Sequence, residues 1–141
     1  MGTFSEYLDM LVLDHIIGNQ ALSVPATIYV GVSSTTIAGD GTGITEPTIG
    51  VNGYARIAVT NNNTNFPNST IVAGKAQKKN GVEFAFPQAS GTWGAELTDV
   101  FLMDAATGGN FLGYAVMTVP KPITTGDTLK YAANSLTFDL G

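Results

Sequence analysis

Three pieces of the stretch from Gly53 to Asn110 decide the fold: GYARIAVTNNNTNFP (residues 53–67), FPQASGTWG (86–94) and VFLMDAATGGN (100–110). Short apolar runs rich in Val, Ile and Phe alternate there with Gly, Asn, Thr and Pro turns, the pattern of strands joined by tight connections. Almost none of these side chains carries chemistry. The stretch reads as architecture.

Outward from it the same pattern continues. On the N-terminal side, Ala26 to Val32 places Ile28, Val30 and Val32 on one face of a strand and Thr27, Tyr29 and Gly31 on the other. Tyr54 to Thr60 reads as a second strand. Between them, Ser33 to Asn52 is a loop long enough to suggest contacts of its own. Ile71 to Gln77 and Val82 to Phe86 read as a hairpin with Lys78-Lys79-Asn80-Gly81 at its tip, because Asn-Gly accepts the positive φ of tight turns. Leu97 to Met103 and Phe111 to Thr118 form another, across Asp104 to Gly109. Thr128 to Ala132 and Ser135 to Leu140 close the chain, with Leu136, Phe138 and Leu140 inward by alternation. About eight short strands at regular spacing predict an all-β fold, a single antiparallel β-sandwich of jelly-roll type, over residues 21–141.

Residues 1–20 predict an N-terminal α-helix. Thr3 and Glu6 have capping-box spacing, and Gly18-Asn19 supplies a stop. Phe4, Tyr7, Leu8, Leu11, Val12 and His15 recur at helical spacing as one apolar face. Met10, Leu13 and Ile17 make a second line on the opposite side. Such a helix wants partners on both sides. One is the domain's own sheet; the other is a sister subunit or larger assembly, or else the helix is sunk between loop and sheet. The candidate interface residues are therefore Phe4, Tyr7, Met10, Leu11, His15 and Ile17.

Composition narrows the role. The chain has 141 residues, enough for one domain with a real core, and 44% of them are hydrophobic. Only 12% are charged, about half the usual share. Short neutral polar side chains lose little solvation or rotamer entropy when another surface covers them, which suits assembly. A net charge of −5, with one arginine and the small cluster Lys75, Lys78 and Lys79, argues against nucleic-acid binding. There is no cysteine, hence no disulfide or thiolate chemistry. No run approaches the roughly 18 apolar residues of a membrane span, and Glu6, Asp9 and Asp14 interrupt what a signal peptide would need.

No constellation of residues in the chain supports a reaction. His15 is the single histidine and lies on an apolar helix face, so a conventional zinc site lacks ligands and a serine triad lacks its base. Glu96 with Asp99, or Glu83 with Asp104, are the carboxylate pairs to consider for glycoside hydrolysis, but neither comes with an aromatic cleft. Asp40-Gly41-Thr42-Gly43 lacks the alternating oxygen ligands of a calcium loop. Trp93, between glycines, fits either a buried anchor or a sugar-stacking platform, with Tyr54 as a second aromatic for the latter. The expectation is no enzyme, no cofactor and no metal.

Taken together, Pro25 to Gly31 (PATIYVG), Gly53 to Asn62 (GYARIAVTNN), Asn65 to Pro67, Phe86 to Gly94, Phe101 to Asn110 and Thr125 to Thr128, in order behind an N-terminal helix, resemble a family of small tailed-bacteriophage virion structural proteins often labelled tail-fibre-like. The resemblance implies a particle component, made in the host cytoplasm and placed on the exterior of the virion. It implies partners among its own copies, as a trimer or dimer, and among major capsid or other virion proteins, with no membrane or nucleic acid. A capsid cement or decoration protein is the leading expectation. The alternative is a tail-fibre or host-recognition module that binds glycan through Trp93 or Tyr54.

Overall fold

The computed structural model describes residues 2–140. Ten strands and one helix follow in the order β1 (Gly2–Phe4), α1 (Glu6–Ile16), β2 (Thr27–Ser33), β3 (Ile57–Thr60), β4 (Thr70–Val72), β5 (Lys75–Lys79), β6 (Phe84–Ala85), β7 (Leu97–Met103), β8 (Phe111–Lys121), β9 (Lys130–Tyr131) and β10 (Thr137–Asp139). Eight of the strands form one sheet in the order β3-β2-β7-β8-β1-β10-β5-β4, and β6 with β9 form a small second sheet. The chain is the all-β sandwich that its alternation predicts, with unequal layers. Every pair is antiparallel except β1 with β10, which run parallel.

The β7–β8 hairpin is the spine. Val100 and Leu102 face the main core with Val30, Val32, Leu112 and Phe138, against a cover of Tyr54, Phe84, Phe86, Trp93, Leu129 and Leu136. Phe101 and Met103 point to the opposite face, where Ile37 and Phe111 bury them in a second cluster with Ile44 packed alongside. The long segment after β2 is thus a second covering layer, which is why β2 and β7 are buried on both faces. Gly31 lies directly across from Phe101, and a Cβ there would strike the Phe101 ring.

Several boundaries move for physical reasons. Thr3 does not cap the helix, because it pairs in β1 between β8 and β10. Ser5 is the cap instead: its buried Oγ accepts from Leu8 N at 3.1 Å and donates to Phe111 O at 2.6 Å. The Asn80-Gly81 turn is a correction too. The actual hairpin is β4–β5, whose two-residue turn Ala73-Gly74 takes φ of 50° and 80°, so Lys78 and Lys79 lie within β5. Asn80 is buried, donating to Val82 O and Ala132 O and accepting from Leu136 N, each at 2.9 Å. Its side chain fastens the end of β5 to the segment before β10. Tyr54 to Thr60 pairs only from Ile57 onward. Leu140, expected inward, is exposed.

Candidate functional site

The helix carries the most unusual surface. Glu6 and Asp9 in its first turn and His15 in its last suit the helix dipole. None of its residues is buried, although it packs over the main core. Tyr7, Leu8 and Leu11 look down on Ile28, Leu102, Leu112 and Phe138 across an apolar pocket of about 240 Å³, closed at one side by Leu22, Val24 and Pro25. The other side of the helix is open: Met10, Leu13, Ile16 and Ile17 are 60–77% exposed. Contiguous exposed apolar side chains of this kind mark interaction surfaces.

The expected interface residues therefore separate into groups. Met10 and Ile17 lie on the open row, where Leu13 joins them and Ile16 extends it. Leu13 is legible from its spacing to Met10 and Ile17. Tyr7 and Leu11 face the pocket. Phe4 is a correction: it belongs to β1, not the helix, and stacks beside Phe138 with ring centroids 6.0 Å apart. His15 lies in the last turn of the helix. It is exposed, and its Nδ1–H donates to Gln20 O at 2.8 Å, closing the turn that Gly18 and Asn19 make.

Trp93 and Tyr54, the aromatics considered for glycan, are 5% and 1% exposed. Trp93 donates through Nε1 to Asn52 O at 2.9 Å and meets Tyr54 and Phe86 edge-on at 5.0 and 6.1 Å. Neither ring offers a face to a sugar; together they anchor the cover of the core.

Behind them lies the one ion pair among the described residues. Arg56 engages Glu46 with a two-pronged contact, Nε to Oε2 at 2.8 Å and Nη2 to Oε1 at 2.9 Å. Its Nη1 donates to the carbonyls of Ala105 and Gly108 at 2.8 Å, and its guanidinium stands 5.3 Å from the Phe101 ring centroid. Tyr54 OH donates to Glu46 Oε2 at 2.6 Å and accepts from Val32 N. The cluster ties the long loop, β2 and the β7–β8 turn into one unit. Its hydrogen bonds are satisfied from within, and no polar group in it is left aimed at a ligand.

Burial, reinforced by Glu46, pushes the Tyr54 hydroxyl well above its ordinary value, and burial alone does the same for Tyr131. The Tyr131 hydroxyl is shielded and has no hydrogen-bond partner. Both folded-state values are raised, so their contribution is complete below about pH 10, where the unfolded chain also keeps its protons. It is lost as pH rises through the folded values. Thermal melts between pH 8 and 12 are expected to show a constant Tm up to about pH 10 and a steady fall above it. Tyr131→Phe removes the unpaired hydroxyl, so that variant should match or exceed the wild-type Tm at pH 7 and fall less steeply at high pH.

The remaining sequence candidates have local roles or stand apart. Asp40 Oδ1 accepts from Thr42 N and Oγ1, a self-contained turn that lowers the Asp40 pKa. Asp104 accepts from Asn110 N and Nδ2. Asp99 is buried under Ile37 N, while Glu96 and Glu83 are exposed. Lys78 Nζ donates to Phe66 O and Pro67 O. Among the described residues no group of three or more His, Asp or Glu side chains could hold a metal ion, and no helix is long and apolar enough to cross a membrane.

A search among curated proteins found no similar sequence. A protein-family comparison does give a match, and it runs through the whole sandwich, from β1 to β10. The chain belongs to the family described as podophage GP4 fiber I protein gp80, matching it over residues 3–139.

Proposed function

We propose that this chain is a non-enzymatic structural subunit of a podophage virion fibre, held in place by burying the open face of its N-terminal helix against a neighbouring subunit. The observation that carries this reading is the row Met10, Leu13, Ile16 and Ile17, apolar and exposed on a helix with no buried residue. An isolated domain gains nothing from that row, whereas an assembled one removes it from water. The family supports a fibre rather than another particle component. The sparse charge of the surface fits a domain meant to be covered. The capsid cement role shares these features and differs in copy number: cement is present in proportion to the capsid lattice, a fibre subunit in a small multiple set by closed tail symmetry.

The test uses the triple variant Met10→Gln, Leu13→Gln and Ile17→Gln. Gln is a good helix former and the three positions are exposed, so each change should alter stability by no more than about 0.5 kcal/mol. Incorporation into particles, measured by quantitative mass spectrometry of virions produced with the variant, should drop by about tenfold or more, as expected when the apolar centre of an interface is removed. Normal incorporation would remove the helix from the interface. Absence of the wild-type protein from purified virions would remove the fibre role itself.

A further inference from the structure

The pocket beneath α1 lies on the side of the helix away from the open row, between the helix and the main core. Phe4, Leu8, Leu11, Leu112 and Phe138 give it an almost wholly apolar wall. The helix spans it without burying a single residue of its own, so the void is not filled from above. Water gains little in such a place, because a buried water needs two to four polar partners. An engineered apolar cavity of about 150 Å³ stays dry and takes up benzene instead. This pocket is larger, at about 240 Å³, and half open. It suits an elongated apolar guest with one end at the mouth.

Two charged residues reach the pocket wall, Asp104 and Lys78. The Asp104 carboxylate is already engaged by Asn110 N and Nδ2. Lys78 is different. It is half-buried on β5, and its ammonium donates to Phe66 O at 3.3 Å and Pro67 O at 2.8 Å. Those are neutral acceptors, and no carboxylate pairs with Lys78 among the described residues. One of its three N–H groups and its whole positive charge stay uncompensated. A cation withdrawn from water in this way favours an anion that reaches it.

We infer that the pocket binds a free medium-chain fatty carboxylate. The carboxylate accepts the third N–H of Lys78 in a charge-assisted contact, and the chain lies between the helix and the core, against Leu8, Leu112 and Phe138. One molecule thus supplies both things the pocket lacks, a counter-ion and an apolar filling. A neutral hydrocarbon supplies only the filling. A side chain from a protein partner supplies one or the other, because Asp and Glu carry their acid on a short stem. The site uses none of the open helix row, so it goes beyond the fibre role.

Isothermal titration with octanoate, too short a chain to form micelles in this range, should show one site per chain with Kd on the order of 10–500 μM. The alcohol 1-octanol keeps the chain and lacks the charge, so it should bind about tenfold more weakly. Lys78→Met should bring octanoate down to the level of octanol and leave octanol unchanged, and Lys78→Arg should restore most of the difference. Leu8→Phe fills the pocket from the helix and should weaken both ligands by about tenfold or more. In methyl NMR spectra, octanoate should shift Leu8 and Leu112 and leave Val116 and Val119, exposed on β8, in place. No binding up to about 5 mM octanoate, well past the expected range, would overturn the inference. So would equal affinity for octanoate and octanol, undiminished octanoate binding in Lys78→Met or Leu8→Phe, or shifts centred on Val116 and Val119. Association with phosphatidylglycerol vesicles without octanoate binding would assign the pocket to a membrane surface and overturn it too. None of these outcomes bears on whether the protein is found in virions, so the two proposals fail separately.

Discussion

Replacing Arg56 with Met should destabilise the protein by about 3–5 kcal/mol, the cost of leaving the other member of a buried ion pair without its partner. Arg56 is the sole arginine of the chain, and its side chain is only 4% exposed. Four of its five N–H donors are divided between the Glu46 carboxylate and the carbonyls of Ala105 and Gly108. Met keeps much of the volume over Phe101 but strands the carboxylate and both carbonyls. In a domain of this size the loss should lower Tm by about 10 °C or more. Arg56→Lys should fall between, at about 1–3 kcal/mol, because an ammonium can pair with Glu46 but lacks the planar fork that reaches two carbonyls at once. Equilibrium denaturation of the three proteins checks the order. A Met variant as stable as wild type would mean that the pair only fills space.

Trp93→Ala should cost a similar amount, about 3–5 kcal/mol, from the lost apolar burial and the cavity left between Tyr54 and Phe86. It also removes the donor to Asn52 O. Trp93→Phe keeps the edge-to-face contacts and loses chiefly the hydrogen bond, so about 1–2 kcal/mol is expected. Trp93 is the only tryptophan, and its emission reports both its burial in the native protein and its release on unfolding. The same variant separates two roles. A sugar platform would lose glycan retention while stability stayed intact; an anchor loses stability. The 5% exposure of Trp93 favours the second outcome.

The strands that were legible in the sequence are those whose side chains face the core in strict alternation. β2 reads correctly because Ile28, Val30 and Val32 repeat at period two, and β7–β8 because two such runs flank an obvious turn. The helix is legible for the same reason at period 3.6, and its two-sided apolar character leads directly to the open row on Met10, Leu13 and Ile17. What was hidden depends on tertiary context. Gly2-Thr3-Phe4 has no strand signature; it is a strand because β8 and β10 flank a gap one strand wide and because Gly2 and Gly113 permit close backbone approach. The long loop was legible as a loop but not as a layer, since only the folded chain brings Ile37 onto Phe101. Asn80 followed by glycine carries the signature of a turn, and its use as a buried clamp leaves no local trace. Arg56 gave a usable hint. A lone arginine inside an apolar strand pattern implies a buried partner, although nothing in the sequence singles out Glu46.

As part of a virion fibre, the domain would have its helix face covered. Electron cryomicroscopy of intact virions tests it most directly, by fitting the sandwich into the particle. Its density is expected within the tail and fibre assembly, in a small symmetric copy number, with Met10, Leu13 and Ile17 against a neighbouring subunit. Density spread over the capsid lattice in proportion to the major capsid protein, or a subunit in place with that helix row facing solvent, would contradict it.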